Sequence, residues 1–272
     1  MASIQVGAGL AKQMFPVVGA PGAVALRVAF AALILAIVQR PWRARATARQ
    51  LGPILFYGAA LGVMNLLYYL ALQTIPLGIT VALEFTGPLA VALFASHRAL
   101  DLVWVALAAA GLVLLTVPGA RVAPALDPRG VIFALGAGFC WAVYILVGKR
   151  ASEIPRATAL GMLVAAGIVT PIGIATEGWR LFVPALFPLA IAVAILSSAL
   201  PYSLEMIALG RLPKRTFGVL MSLEPAVGTL AGWVILGEHL TMGQTAAIAC
   251  VIAASLGSVM TMTGELKPVA DA

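Results

Sequence analysis

Three carboxylates, Glu84, Glu205 and Glu224, fall inside long apolar runs, whereas Asp101, Asp127 and Asp271 all fall in loops or the tail. In the stretch VALEFTGPLAVALF, residues 81–94, Glu84 is the single ionisable group. A charge at the centre of a bilayer costs about 2.5–3.5 kcal/mol on insertion scales, so such groups face a bundle interior, pair, or carry a proton. The chemistry open to a carboxylate in that setting is proton exchange or the binding of a cation such as an ammonium group. Other polar residues recur beside the acids at helical spacing. Ser198, Tyr202 and Glu205 stand at i, i+4 and i+7, and Asn65, Tyr69 and Gln73 at i, i+4 and i+8, with Tyr68 adjacent. Trp141 shares a face with Tyr144, and Gln5 shares one with Lys12. Arg27 lies inside an apolar run, where it can snorkel outward or serve as counter-charge to a carboxylate.

Each group also has a plain structural reading. Polar side chains glue helices together in membranes. Glu205 stands near Arg211 and Lys214, and Glu224 can occupy a structural pair near a helix end. Pro88 follows Glu84 by four residues and Pro225 follows Glu224 directly. A proline inside a span frees carbonyls and kinks the helix, which is tolerable where the freed groups face protein or a cavity.

Helices must position these residues. The chain has 272 residues, 62% hydrophobic and 10% charged, with mean hydropathy +1.06. Soluble domains are nearer half apolar and a quarter charged, so the lipid bilayer is the solvent. Barrel strands would alternate in hydropathy, and these runs are continuous. Ten apolar segments follow one another, roughly 1–15, 20–38, 52–73, 77–96, 101–117, 130–148, 157–176, 182–209, 214–236 and 242–262. An even number puts both termini on one side. With that side cytoplasmic, twelve Lys and Arg fall there, among them Arg40, Arg43, Arg45, Arg98, Lys214, Arg215 and Lys267. Arg121, Arg129 and Arg180 fall opposite. The positive-inside rule therefore predicts cytoplasmic termini. The net charge of +7 belongs to these loops and calls for no nucleic acid. The first segment, at about 1.5 Å per residue, reaches roughly 22 Å against a hydrocarbon core of about 30 Å. The expectation is a truncated first helix, with the natural start upstream of Met1.

A shift of 137 residues superposes Lys12 on Lys149, Leu72 on Leu209, Pro76 on Pro213 and Pro88 on Pro225. Each half then holds five spans, and an odd number turns the second half upside down. Inverted repeats around a midplane site are a recurrent transporter architecture. Gly58–Gly62 and Gly228–Gly232 fit close helix packing. Cys140 and Cys250 lie in apolar runs without metal-binding neighbours.

HExxH, GxSxG and P-loop motifs are absent, and His97 and His239 stand at loop edges. Metal hydrolysis, triad chemistry and ATP-driven pumping thus lack their residues, and no cofactor is called for. A lipid-modifying intramembrane enzyme using the glutamates as acid and base is the rival class, but a nucleophile at helical spacing is missing.

The stretches TIPLGITVALEFTGPLAVALF (74–94), AVAILSSALPYSLEMIALGRLP (192–213), TFGVLMSLEPA (216–226) and LGEHLT (236–241) resemble the drug/metabolite transporter superfamily with EamA-type repeats. So does the opening MASIQVGAGLAKQMFPVVGAPGAVALR (1–27), and the resemblance extends to about residue 262. It implies an all-α integral membrane bundle of ten helices in two inverted five-helix repeats, 1–118 and 129–263, with 264–272 a cytoplasmic tail. It also implies an inner-membrane exporter of small amino acids such as threonine and homoserine, exchanging them for protons. Other metabolites or drugs on the same scaffold remain an alternative. Glu84 is the first candidate for the proton-coupled or ammonium-binding carboxylate. Asn65, Tyr68, Tyr69, Trp141 and Tyr202 are expected to line the cavity, with Glu205, Glu224 and Arg27 as further charged candidates.

Overall fold

The computed structural model describes residues 2–43, 48–94, 99–116, 126–211 and 221–261. His97, Arg45, Arg98, Arg121, Pro213, Lys214, Arg215, Lys267 and the tail at 264–272 lie outside the described residues. Twelve α-helices are described: α1 (Ala2–Lys12), α2 (Phe15–Gln39), α3 (Ala48–Leu72), α4 (Leu77–Glu84), α5 (Thr86–Phe94) and α6 (Ala99–Thr116), then α7 (Pro128–Ala151), α8 (Ala157–Glu177), α9 (Phe187–Ala194), α10 (Leu200–Arg211), α11 (Glu224–Leu236) and α12 (Met242–Thr261). Among the described residues, six helical segments are long and apolar enough to cross a membrane, beginning at Phe15, Arg49, Pro128, Ala157, Pro184 and Met242. Shorter apolar helices run over Leu77–Val91, Val103–Leu115 and Glu224–Leu236. The protein is an all-helical, multi-pass membrane protein.

Prolines set where these helices break. A proline cannot donate to the carbonyl four residues back, and its ring crowds that carbonyl. Pro88 thereby frees the Glu84 carbonyl, and the helix breaks at Phe85 between α4 and α5. The ladder resumes where Leu89 N–H donates to the Phe85 carbonyl at 3.2 Å. Pro225 acts alike on Met221, and the chain turns at Ser222 and Leu223 before α11. Pro201 frees Ser197, inside a π-helical turn over Ile195–Ala199 that joins α9 to α10.

The two breaks at Phe85 and Ser222 stand 137 residues apart. So do two positive-φ backbone positions, Gly19 (φ 59°) and Arg156 (φ 63°). Each directly precedes a long regular helix, from Ala20 within α2 and from Ala157 in α8. The same residue offset thus marks two unrelated kinds of backbone irregularity.

Helix packing follows a reciprocal pattern. α2 packs on α8, α4 on α11, and α6 on α12. α3 packs on α7 and α8, while α9 packs on α1 and α2; α4 and α5 pack on α7, while α11 packs on α1. Without a hydrophobic force between helices in lipid, close approach supplies the attraction, and small residues permit it. A Cβ on Gly58 would lie 2.6 Å from the Gly161 carbonyl oxygen, and one on Gly62 would lie 3.0 Å from Ala165 Cα. Gly228 abuts Val81 and Gly232 abuts Leu77. Both glycine pairs therefore serve helix contact, as their spacing predicts.

Candidate functional site

Where α1, α2, α3, α4, α11 and the π-helical turn meet, polar side chains collect inside an otherwise apolar bundle. Glu84 ends α4 at the proline-induced break and is 8% exposed. Its carboxylate has no hydrogen-bond partner among the described residues, and the charged groups acting on it are Glu224 and Arg27. Its backbone is pinned: a Cβ on Gly138 of α7 would lie 2.6 Å from the Glu84 carbonyl oxygen. Glu224 opens α11, is 4% exposed, and accepts from Gln5 Nε2 at 3.3 Å. Its Oε2 is unpartnered among the described residues. Tyr68 Oη donates to Gln5 Oε1 at 3.3 Å and lies in the fields of Glu84, Arg27 and Glu224. Gln5 thus links an acid of one half to a tyrosine of the other.

Arg27 is fully interior, at 2% exposure. Its Nη2 donates to the Ser197 carbonyl at 2.7 Å and its Nε to Ser198 Oγ at 2.8 Å. The Ser197 carbonyl is the one that Pro201 leaves without a helical donor. Tyr69 presents its ring 5.2 Å from the guanidinium carbon. Ser3 Oγ donates to the neighbouring Leu196 carbonyl, and Ser197 Oγ donates to the Ile4 carbonyl at 3.2 Å. α1 therefore closes over the π-helical turn.

An aromatic wall completes the site. Asn65 Nδ2 donates to the Leu61 carbonyl at 2.7 Å and to Tyr202 Oη at 3.3 Å. Tyr57 stacks on Tyr144 at 5.0 Å between ring centroids, Tyr144 leans on Tyr202 at 6.4 Å, and Trp141 meets Phe85 edge-on at 5.7 Å. At one end of the bundle, Lys12 Nζ pairs with Glu238 Oε1 at 2.7 Å, and Glu238 Oε2 accepts from Leu77 N–H at 2.7 Å. That carboxylate ties the end of α1 to the start of α4 from the loop after α11. Among the described residues, no cluster of three or more His, Cys, Asp or Glu is placed to hold a metal ion.

The arrangement offers hydrogen-bonding and ionisable groups in a dry setting, and known proteins bear on what the chain does. Residues 128–260 match the model of the EamA-like transporter family. The threonine/homoserine exporter RhtA of Escherichia coli K12 is 56% identical over 269 residues, 98% of this chain and 91% of the relative. RhtA of Salmonella typhimurium LT2 is 55% identical over 267 residues, 97% and 90% of the two chains. The chain belongs to the EamA-like transporter family. It is a transporter, not an enzyme, and the intramembrane-enzyme reading falls. A solved crystal structure, described simply as that of a protein, covers 95% of this chain and 96% of its own at 19% identity and a TM-score of 0.59. That likeness concerns the fold alone.

Within this EamA-like bundle, Asn65, Tyr68, Tyr69, Glu84, Glu224, Tyr202 and Arg27 lie in one polar region. Trp141 joins them through Phe85. Arg27 does not snorkel, because the freed Ser197 carbonyl and the Ser198 hydroxyl hold its head inside. Glu205 is only half-buried on α10 and acts electrostatically on Tyr57, Tyr144 and Tyr202; the side chain of Arg211 lies outside the described ones. Gln73 is exposed at the end of α3, away from Asn65 and Tyr69 on its face. Gln5, Ser197 and Glu238 carry more of the network than the sequence reading assigned them. For Ser197 the signal is plain: a proline four residues later leaves its carbonyl open.

Proposed function

We propose that the chain exports threonine and homoserine across the bacterial inner membrane in exchange for protons. The observation that carries this reading is the 55–56% identity to exporters of that name over nearly the whole chain. The site is consistent with it. A hydroxylated amino acid needs hydrogen-bonding groups in a dry setting, and Gln5, Tyr68, Asn65 and Tyr202 offer them.

Coupling follows from the cost of a bare charge in the membrane. An empty, ionised Glu84 is expensive to carry between two closed states. Occupied by a proton or by the substrate's ammonium group, it is neutralised, and the two occupants exclude each other. Mutual exclusion on one carboxylate is antiport. Two inverted five-helix repeats, 1–118 and 129–263, would supply the two access states. The reciprocal packing of α2 with α8, α4 with α11 and α6 with α12 supports a two-fold relation, as do the paired irregularities 137 residues apart. Lys12–Glu238 then bridges the repeats at the extracytoplasmic end, with both termini and the tail at 264–272 cytoplasmic. Cells preloaded with labelled homoserine and expressing this chain should release it several-fold faster than cells with an empty vector. Equal rates, with the protein present in the membrane, would overturn the substrate assignment.

A further inference from the structure

Arg27 is a charge the bundle does not neutralise. Among the described residues its side chain has no ion-pair partner, although it is 2% exposed. Leaving a buried charge without its counter-ion costs several kcal/mol, so an arginine retained in such a place has an anion to meet. Of the five N–H groups of a guanidinium, one on Nε and one on Nη2 hold Ser198 Oγ and the Ser197 carbonyl. Those bonds fix the plane of the fork, and Tyr69 backs its face. The rest of the fork meets no carboxylate. Glu84 and Arg27 act on each other electrostatically without forming an ion pair, an acid and a base in one polar region.

We propose that Arg27 is the carboxylate anchor of the transport site: clamped to the π-helical turn by Ser197 and Ser198, it takes the α-carboxylate of the substrate and leaves the ammonium group to Glu84. The assignment rests on the reading of the protein as an amino-acid exporter. It fixes the orientation of the bound solute and makes a free carboxylate a requirement. A planar fork matches a carboxylate with two parallel bonds, which a lysine cannot reproduce.

The test is competition in proteoliposomes, with labelled homoserine displaced by unlabelled threonine, threonine methyl ester or threoninol, in wild type, Arg27→Gln, Arg27→Lys and Ser198→Ala. In wild type the carboxylate-free competitors should be weaker than threonine by roughly 30-fold, the worth of a charge-assisted bond. That ratio should collapse to within about threefold in Arg27→Gln. It should fall part-way in Arg27→Lys and Ser198→Ala. The ratio compares two ligands on the same protein, so partial misfolding does not move it. An unchanged ratio in Arg27→Gln overturns the proposal.

Absence of homoserine movement by wild type would instead remove the substrate reading. Thermal shift with short hydroxy-carboxylates and their methyl esters then decides Arg27 separately. Stabilisation by the acids of wild type but not of Arg27→Gln upholds the anchor. Equal response of the two proteins, or none, refutes it.

Discussion

Glu84→Gln protein is expected to insert and remain monodisperse yet to lose gradient-driven homoserine efflux, by about a hundredfold. The substitution keeps the size of the side chain and its hydrogen-bonding capacity. It removes the charge and the exchangeable proton together. Without the carboxylate, the empty carrier no longer has to be neutralised before it reorients, and the link between solute and proton is gone. The magnitude follows from the intramembrane charge cost of about 2.5–3.5 kcal/mol, roughly two powers of ten in rate. Because no hydrogen-bond partner of the Glu84 carboxylate occurs among the described residues, the amide strands no neighbour, and the fold should tolerate it. Full coupling retained in Glu84→Gln would move the proton site to Glu224 or Glu205.

Gly87→Val should damage the same function from the backbone side. A Cβ at Gly87 would run into the Gly138 carbonyl of α7, and a Cβ at Gly138 would lie 2.6 Å from the Glu84 carbonyl oxygen. Both obstacles are main chain, so no side chain can swing aside. α5 and α7 must separate, at a cost of about 1–3 kcal/mol for overpacking. The turn that aims Glu84 moves with them. The expected result is a thermal midpoint in detergent several degrees below wild type, with transport largely lost. Gly167→Ala is the matching control, since nothing lies within 4 Å of the added atom and alanine favours the helix. A Gly87→Val protein as stable as that control, and fully active, would mean that the approach of α5 to α7 does not position the site.

Much of this was open to inspection in the residues. Apolar runs became helices because a backbone in lipid has no other way to satisfy its own polar groups. Most of the intramembrane polar residues lie in one cluster, since facing lipid is expensive; Glu205 and Gln73 do not. Three features resisted. The span at 77–96 reads as one helix by hydropathy, yet it is two, because Pro88 denies the Glu84 carbonyl its donor. Periodicity cannot register a break that shifts the helix by a single residue.

Arg27 had two readings from sequence, and the choice depended on a contact across 170 positions to Ser197. The proline rule announces that the Ser197 carbonyl is open, but not which donor arrives. Gln73 failed in the opposite sense: it holds the i+8 position on the face of Asn65, but α3 ends at Leu72 and the next residue is already exposed. Spacing places a residue on a face; only packing says how far that face stays buried.

The most direct test of the central claim is counterflow of labelled homoserine in proteoliposomes of the purified chain, run with and without an imposed proton gradient. Exchange in both conditions, with net movement against the homoserine gradient when protons enter in return, is the predicted result. Homoserine movement that ignores the proton gradient in a folded, reconstituted protein would contradict the antiport account.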